Sequence, residues 1–189
     1  MINLGSGAIH LSYEQGSGGT SLCLTIARKI LKNKKKVIWL SKELPDGKRS
    51  SQILSGLTER ELENISFIFI KNNLEESVKR INVLFEMMTL KDLIVIDDWC
   101  DKSGRASKID IIALEKIVTN FNNTNIIVSS TSYQNIDSST DKWESRGGNR
   151  IREIMTTIFL YRETEMNIKR ILKEGEELKI IKLLESGFE

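Results

Sequence analysis

The residues with the clearest chemical potential lie in a glycine-rich segment from Tyr13 to Leu22, Y-E-Q-G-S-G-G-T-S-L. The segment follows most of the phosphate-binding loop pattern G-x-x-x-x-G-K-[ST], but Gly19 replaces the lysine and Tyr13 replaces the first glycine. In an intact loop, backbone N–H groups and the positive end of the next helix bind phosphate. We therefore predict a nucleotide-binding loop with altered or lost chemistry. Its residues are Gly16, Ser17, Gly18, Gly19, Thr20 and Ser21. The alternative is a glycine-rich turn that binds nothing.

Acidic side chains follow two apolar strands farther along the chain. The segment D-L-I-V-I-D-D-W has the form of a Walker B strand, with Asp97 at its carboxyl end. Asp97 and the Thr20 hydroxyl are the predicted Mg²⁺ ligands if nucleotide binds. Glu43 follows V-I-W-L-S-K and is the candidate for a vestigial catalytic base that would polarise water. The alternatives are a strand that simply ends in solvent and an exposed loop glutamate.

A polar segment from Tyr133 to Arg150 holds the candidates for contact with single-stranded DNA, which are Lys142, Trp143, Arg146 and Arg150. An aromatic ring can stack on a base, and cations can pair with phosphate. The segment is nevertheless net neutral, because acidic residues are interspersed, so it offers no electrostatic funnel. The alternative is a surface loop without a ligand.

The elements that must position these residues alternate between short apolar strands and helix-period segments. The predicted strands are 8–12, 37–40, 66–70, 93–96, 126–129, 156–162, 167–172 and 178–184, and the predicted helices are 20–31, 50–57, 74–89 and 109–121. This alternation predicts an α/β fold with a mostly parallel central sheet, flanked by helices. The last three strands are expected to be antiparallel at the sheet edge, with a turn at Gly175-Glu176. Residues 1–189 are expected to form a single domain.

Composition excludes several classes of protein. The chain has 189 residues, a net charge of +2 and 40% hydrophobic residues, as an ordinary globular protein does. Two cysteines and one histidine predict neither a disulfide framework nor a zinc site. No apolar run is long enough to span a membrane, and the N-terminus does not read as a signal peptide. A cytoplasmic protein with reduced thiols is therefore expected.

Taken together, the motifs resemble the RecA/RadA recombinase family. Glu14 to Cys23 reads E-Q-G-S-G-G-T-S-L-C beside the family's E-F-G-S-G-K-T-Q-L-C, and Lys36 to Ile53 keeps Glu43, Arg49 and Gln52 nearly in register with K-V-I-Y-I-D-T-E-G-x-x-x-x-E-R-x-x-Q-I. The segments I-I-V-S-S-T and R-G-G-N-R-I resemble those that adjoin the family's two DNA-binding loops. The end, L-K-E-G-E-E-L-K-I-I-K, resembles the family's terminal hairpin.

The resemblance implies a RecA-like P-loop core. The chain is similar to the core-only archaeal paralogs of the RadB type, which lack the N-terminal helical domain. Such a paralog would assist homologous recombination or DNA repair with absent or very weak ATP hydrolysis, and would bind ATP and Mg²⁺ weakly. Its partners would be a RadA-type recombinase, other recombination proteins or single-stranded DNA, and oligomers would be compatible with it. No membrane is implied.

Two other functions remain open at the level of sequence. One is a pseudo-ATPase interaction module that binds neither nucleotide nor DNA. The other is a KaiC-like ATPase in which another lysine, with Lys42 as the nearest candidate, replaces the missing one. Because Gly19 stands at the lysine position, the change Gly19→Lys is expected to raise nucleotide affinity.

Overall fold

The computed structural model of the chain describes residues 2, 4, 7–134, 143–164 and 167–189. The strands of this described part are β1 (Ile9–Tyr13), β2 (Val37–Ser41), β3 (Ile65–Phe69), β4 (Leu93–Asp97), β5 (Asn125–Thr131), β6 (Tyr133–Gln134), β7 (Trp143–Glu144), β8 (Thr156–Arg162), β9 (Lys169–Glu174), β10 (Glu177–Leu184) and β11 (Gly187–Phe188). All except β6 and β7 join one mixed sheet, in the order β11-β10-β9-β8-β1-β5-β4-β2-β3. The α/β prediction is confirmed at this level.

The larger part of the sheet is parallel, from β8 through β1, β5, β4 and β2 to β3. The strands β1, β2 and β4 are buried along their whole length. Continuous apolar runs such as V-I-W-L and L-I-V-I are typical of strands that are covered on both faces. The parallel arrangement places the carboxyl ends of these strands at one edge of the sheet.

The C-terminal strands extend the sheet on the other side of β1. β9 is antiparallel to β8, β10 to β9, and β11 to β10. The predicted turn is confirmed, since β9 ends at Glu174 and β10 begins at Glu177. β8 differs from the expectation of a purely antiparallel end, because it also pairs in parallel with β1. β8 therefore joins the parallel and antiparallel parts of the sheet.

The helices of the described part are α1 (Gly19–Lys32), α2 (Gly47–Leu54), α3 (Glu59–Leu62), α4 (Leu74–Glu86), α5 (Lys108–Asn120) and α6 (Gly148–Ile154). Four of them begin at a side chain that accepts a hydrogen bond from a backbone N–H group of the first turn. These caps are Asp46, Thr58, Asn73 and Ser107. Such caps satisfy donors that have no partner inside the helix.

The second helix begins earlier than its apolar pattern predicts. The Asp46 carboxylate accepts from the Arg49 N–H group at 2.7 Å, so α2 starts at Gly47 instead of Ser50. It ends at Leu54, before Gly56, which has a φ of 78° that a right-handed helix cannot contain. The elements α3, α6, β6, β7 and β11 were not predicted, because each is too short to show a period.

Apolar side chains pack on both faces of the sheet. The first core contains residues of β1, β2, β8, β9, β10 and α1, such as Leu11, Trp39, Ile158, Leu160, Leu172 and Ile181. The second core lies on the opposite face, where α4, α5 and α6 pack, and contains Leu40, Phe85, Ile96, Trp99, Leu114 and Ile151.

The cysteines Cys23 and Cys100 are buried free thiols. Within the described ranges, no helix has the length and apolar character needed to cross a bilayer.

Candidate functional site

The residues predicted to bind nucleotide and Mg²⁺ lie near one another at the carboxyl edge of the parallel strands. Tyr13 ends β1 and pairs in register with Thr131 of β5, and Ser41 at the end of β2 pairs with Asp97 of β4. Ligands of open parallel sheets bind at this edge, where loops and helix N-termini converge. A cleft of about 500 Å³ opens here. Its lining includes Thr20, Ser21, Lys42, Glu43, Arg49, Asp97 and Asp98.

The glycine-rich loop connects β1 with α1, and two of its glycines have left-handed backbone conformations. It leaves β1 after Tyr13 and enters α1 at Gly19. Gly16 and Gly18 have φ values of 80° and 98°, which side-chain-bearing residues rarely adopt. No side chain caps the N-terminus of α1, and its first turn contains no acidic residue. The positive end of the helix dipole therefore lacks a compensating charge of its own.

The ring of Tyr13 lies directly against the backbone of Gly19. A Cβ atom at position 19 would come within 2.3 Å of Tyr13 Cδ1 and 2.4 Å of Tyr13 Cγ, which is far inside van der Waals contact. The two departures from the loop pattern, at positions 13 and 19, are therefore coupled by direct contact. The residue that replaces the first glycine fills the space into which a residue-19 side chain would project.

The hydroxyl of Tyr13 fixes the ring in this place. It donates a short hydrogen bond to Asp98 Oδ1, and the residue is only 7% exposed. Burial, with the nearby Asp98 carboxylate, raises the pKa of the Tyr13 phenol far above its ordinary value. The phenol therefore stays protonated and keeps donating to Asp98. Asp98 has a φ of 49°, a left-handed conformation that aspartate tolerates better than most residues.

The loop is also tied to the C-terminal strands from outside. The Glu14 carboxylate accepts hydrogen bonds from the backbone N–H and the guanidinium of Arg162, at 2.7 and 2.9 Å. Arg170 Nε donates to the Ser17 carbonyl at 2.9 Å, and Ser17 Oγ donates to the Leu160 carbonyl at 3.2 Å. These contacts within the protein hold the loop conformation.

The two predicted Mg²⁺ ligands lie side by side. Thr20 Oγ1 donates to Asp97 Oδ1 at 3.4 Å, and Ser129 Oγ donates to the same oxygen at 2.5 Å. Burial raises the pKa of Asp97 to about 6, and the charge of Asp98 adds to this, while the hydrogen bonds from Ser129 and Thr20 oppose it. One carboxylate and one hydroxyl suit Mg²⁺, which commonly takes few protein oxygens besides phosphates and water. Within the described ranges, no group of three or more acidic, histidine or cysteine side chains is arranged to hold a metal ion.

The cations at the cleft are engaged with protein groups. Lys42 Nζ lies 2.7 Å from Asp101 Oδ1, and the Lys102 ammonium lies 3.8 Å from Asp98 Oδ2. Arg49 donates from Nε to Ser21 Oγ at 3.1 Å and from its terminal nitrogens to the carbonyls of residues 184 and 185. Glu43 lines the cleft and is exposed, as a loop residue beyond β2.

The predicted DNA-contact residues have different surroundings. Arg146 is 7% exposed, and its guanidinium donates to the carbonyls of Thr131 at 3.0 Å and Gly104 at 2.6 Å, and to that of Lys102. Arg150 forms a two-point ion pair with Glu115 at 2.7 and 2.6 Å.

Trp143 is half-buried in β7, where it pairs with Gln134. Lys142 lies outside the described residues. Within the described part, the two arginines therefore act as ties between loops and helices, and neither presents a free cation to a phosphate.

Several residues of this edge were not identified from sequence. The role of Ser129, which bridges Asp97 and the backbone N–H of Asp98, depends on the pairing of β5 with β4. The links from Arg162 and Arg170 join positions about 150 apart in sequence, and no local pattern announces such contacts. One signal was present in the loop itself. The large residue at position 13 and the small residue at position 19 depart from the pattern in opposite directions.

No protein-family model matches the chain, and no curated protein matches it significantly.

Proposed function

We propose that the protein is a RecA/RadA-like recombinase paralog with absent or very weak ATP hydrolysis, which assists recombination or repair through contacts with its partners. The observation that carries the loss of hydrolysis is the Tyr13 ring against Gly19, at the place of the motif's lysine. The support for a P-loop origin is the loop conformation together with Thr20 and Asp97 beside it. The recombinase assignment depends on the resemblance of the motifs.

Magnitudes distinguish loss of binding from loss of catalysis. A hydrogen bond to a charged group contributes about 1.5–3 kcal/mol, so its absence weakens phosphate binding roughly 10- to 100-fold. The backbone donors of the loop and of α1 are retained, and weak binding of nucleotide follows from them. Hydrolysis loses more, since the lysine acts where negative charge develops in the transition state.

A substitute cation has little support. Lys42, the nearest candidate in sequence, is 34% exposed in its side chain and paired with Asp101. Arg49 lies at the cleft, but its guanidinium donates to Ser21 Oγ and to the carbonyls of residues 184 and 185 at the end of β10. The KaiC-like alternative requires one of these contacts to break when nucleotide enters.

A second candidate is the pseudo-ATPase interaction module. The engagement of Arg146 and Arg150 favours it, because these two described cations of the segment that should contact DNA are bonded within the fold. The two candidates share a loop that does not hydrolyse ATP efficiently, and they differ in whether nucleotide and DNA bind.

Two titrations and one activity assay on the purified chain test the proposal. We expect weak affinity for a fluorescent ATP analogue with Mg²⁺, and no steady-state phosphate release above that of buffer. Binding of labelled oligo(dT) that does not require ATP supports the recombinase paralog, whereas no binding of either nucleotide or DNA supports the interaction module. Phosphate release that disappears in Glu43→Gln would contradict both and establish an active ATPase.

The recombination role needs its own measurement. We expect addition of the chain to a RadA-type recombinase to change the rate of DNA strand exchange. The same experiment with Gly18→Asp, which fills the loop next to Leu183 and Phe188, provides a control in which the loop is distorted. An unchanged strand-exchange rate at all protein ratios would contradict the recombination role and leave the inactive loop unaffected.

A further inference from the structure

The C-terminal part of the sheet has an apolar face that belongs to neither core of the described residues. Its side chains are Phe159, Tyr161, Ile171, Leu178 and Ile180, which we call the C-terminal sheet face. Leu178 and Ile180 are each 61% exposed, and the other three are half-buried. Strands with an apolar face normally bury it against another layer.

Alternation along the strands fixes the direction of these side chains. Ile158 and Leu160 of β8 belong to the first core, so Phe159 and Tyr161 point to the opposite face. The same holds for β9, where Leu172 lies in the first core, and for β10, where Ile181 does. The C-terminal sheet face is therefore on the side of the sheet where α4, α5 and α6 cover the parallel strands.

The strand register arranges the face in rows. Tyr161 pairs with Ile171, and Ile171 pairs with Ile180, which gives one apolar row across three strands. The next row contains Phe159, Lys173 and Leu178. Two strand spacings amount to roughly 10 Å, which is the diameter of one α-helix with its side chains.

Lysines surround the apolar rows on the same face. Lys169 of β9 stands directly opposite Lys182 of β10, and Lys173 lies within the second row. Like charges directly opposite one another destabilise a strand pair. Lys169 approaches one carboxylate, that of Glu163, at 3.9 Å. The facing charges of Lys169 and Lys182 would be compensated by an acidic partner that covers the face.

We propose that the C-terminal sheet face binds an acidic amphipathic helix of a partner protein. A helix that buries apolar residues at positions i, i+3, i+4 and i+7 would cover the rows, and glutamate or aspartate beside this stripe would meet Lys169 and Lys182. The two most exposed side chains, Leu178 and Ile180, are aliphatic. They suit a leucine-rich helix better than nucleic-acid bases, which stack on aromatic rings.

A second copy of the chain fits the face less well. A two-fold dimer through this face would bring two sets of the same lysines together, since a symmetric interface uses one patch twice. The inference does not depend on the nucleotide site. It survives if the loop hydrolyses ATP, and it can fail while the loop remains inactive.

The test uses two designed helical peptides with the same leucine stripe, one flanked by glutamates and the other by lysines. We expect the glutamate peptide to bind the whole chain at least tenfold more tightly than the lysine peptide, by fluorescence anisotropy. The change Ile180→Asp should weaken this binding at least tenfold. In the double variant Lys169→Glu, Lys182→Glu, the preference between the peptides should reverse.

Matched controls come from other exposed positions. Val83 on α4 is 68% exposed, so Val83→Asp places the same charge on a different apolar site, and Lys91→Glu reverses a distant exposed lysine. Neither should change peptide binding. NMR amide shifts on addition of the glutamate peptide should be concentrated in β8, β9 and β10, and circular dichroism should show that each variant is folded.

Four results would overturn the proposal. They are equal binding of the two peptides, shifts centred away from the C-terminal sheet face, self-association that Ile180→Asp abolishes, and oligo(dT) binding that Ile180→Asp and Lys182→Glu both weaken. The third would identify a second copy as the occupant, and the fourth a nucleic acid.

Discussion

The glycine-rich loop and the segment from Trp143 to Arg150 differ in what they retain of the chemistry that their sequences suggest. The loop has Gly16 and Gly18 at positive φ, as a glycine pattern suggests, but an aromatic ring lies where a side chain at position 19 would project. The segment keeps its cations, but Arg146 and Arg150 are hydrogen-bonded to protein acceptors. In one region the backbone geometry is present without a cation, and in the other the cations are present but are paired within the protein.

The difference shows that a motif's residue types and its chemistry can separate in two ways. A glycine pattern reports backbone conformation and is retained when only the conformation is needed. An arginine pattern reports charge, but the planar guanidinium also bridges several carbonyls well, so an arginine can persist as a structural tie. The predictions below test this contrast, beginning with the largest effect.

Arg146 should make the largest contribution to stability. We expect Arg146→Ala to lower the free energy of unfolding by about 2–4 kcal/mol, because three backbone carbonyls lose a charged donor in a buried place. Urea denaturation followed by circular dichroism measures it.

The variant Arg146→Lys separates structure from charge. Lysine keeps the charge but cannot form the planar fork, so most of the loss should persist. An unfolding free energy within about 0.5 kcal/mol of the wild type for both variants would mean that Arg146 is free for another role.

Asp97 should make the free energy of unfolding depend on pH, with an effect smaller than that of Arg146. Its pKa in the folded chain is raised to about 6, so the folded state binds more protons than the unfolded state between about pH 4 and 6. The contribution of Asp97 to stability is therefore best below pH 4, falls as the pH rises to 6, and is constant above that. We expect Asp97→Asn to remove this slope and to raise stability at pH 7 relative to the wild type by about 1–3 kcal/mol.

His10 gives a pH dependence of stability with the opposite sign, and its effect must be separated from that of Asp97. Burial, with the charge of Arg152, lowers the pKa of His10 to about 4, so its contribution is lost as the pH falls from about 6.5 to 4. Both effects are present in the wild type, so the difference between wild type and Asp97→Asn isolates the carboxylate. A difference that does not change between pH 4 and 7 would show that Asp97 has an ordinary pKa.

Arg150 should have the smallest effect of the three positions. Its ion pair with Glu115 is partly exposed, with 54% of the Arg150 side chain accessible, and such pairs contribute about 0.2–1 kcal/mol. We expect Arg150→Ala to lower the unfolding free energy by no more than this, and less in 1 M salt. A loss as large as that of Arg146→Ala would remove the distinction between a buried tie and a surface pair.

The sequence predicted the framework because that information is local. The apolar runs of β1, β2, β4 and β5, and the period of α1, α4 and α5, can be read within a few residues. The adjacency of Thr20 and Asp97 followed from placing both at the carboxyl edge of a parallel sheet. Strand β8 could not be placed as parallel to β1, since the chain between them holds most of the domain and nothing local specifies that pairing.

The electrostatic details of the site could not be predicted either, because they depend on contacts between residues that are far apart in sequence. Whether Arg146 is free or buried depends on the carbonyls of residues 102, 104 and 131, which come from the loop before α5 and from the end of β5. The contact between Tyr13 and Gly19 was visible as two departures from one pattern, but their coupling needed the ring's position. We therefore no longer expect Gly19→Lys alone to raise nucleotide affinity, because the Tyr13 ring leaves no room for the lysine side chain.

The coupling of Tyr13 and Gly19 in nucleotide binding is the most direct test of the account. Affinity for a fluorescent ATP analogue with Mg²⁺ should be measured for Tyr13→Gly, Gly19→Lys and the double variant, at low temperature and with folding verified. We predict that neither single change raises affinity appreciably and that the double change raises it roughly 10- to 100-fold, as one restored charged hydrogen bond should. A gain from Gly19→Lys alone equal to that of the double variant, or no gain from the double variant, would contradict the account.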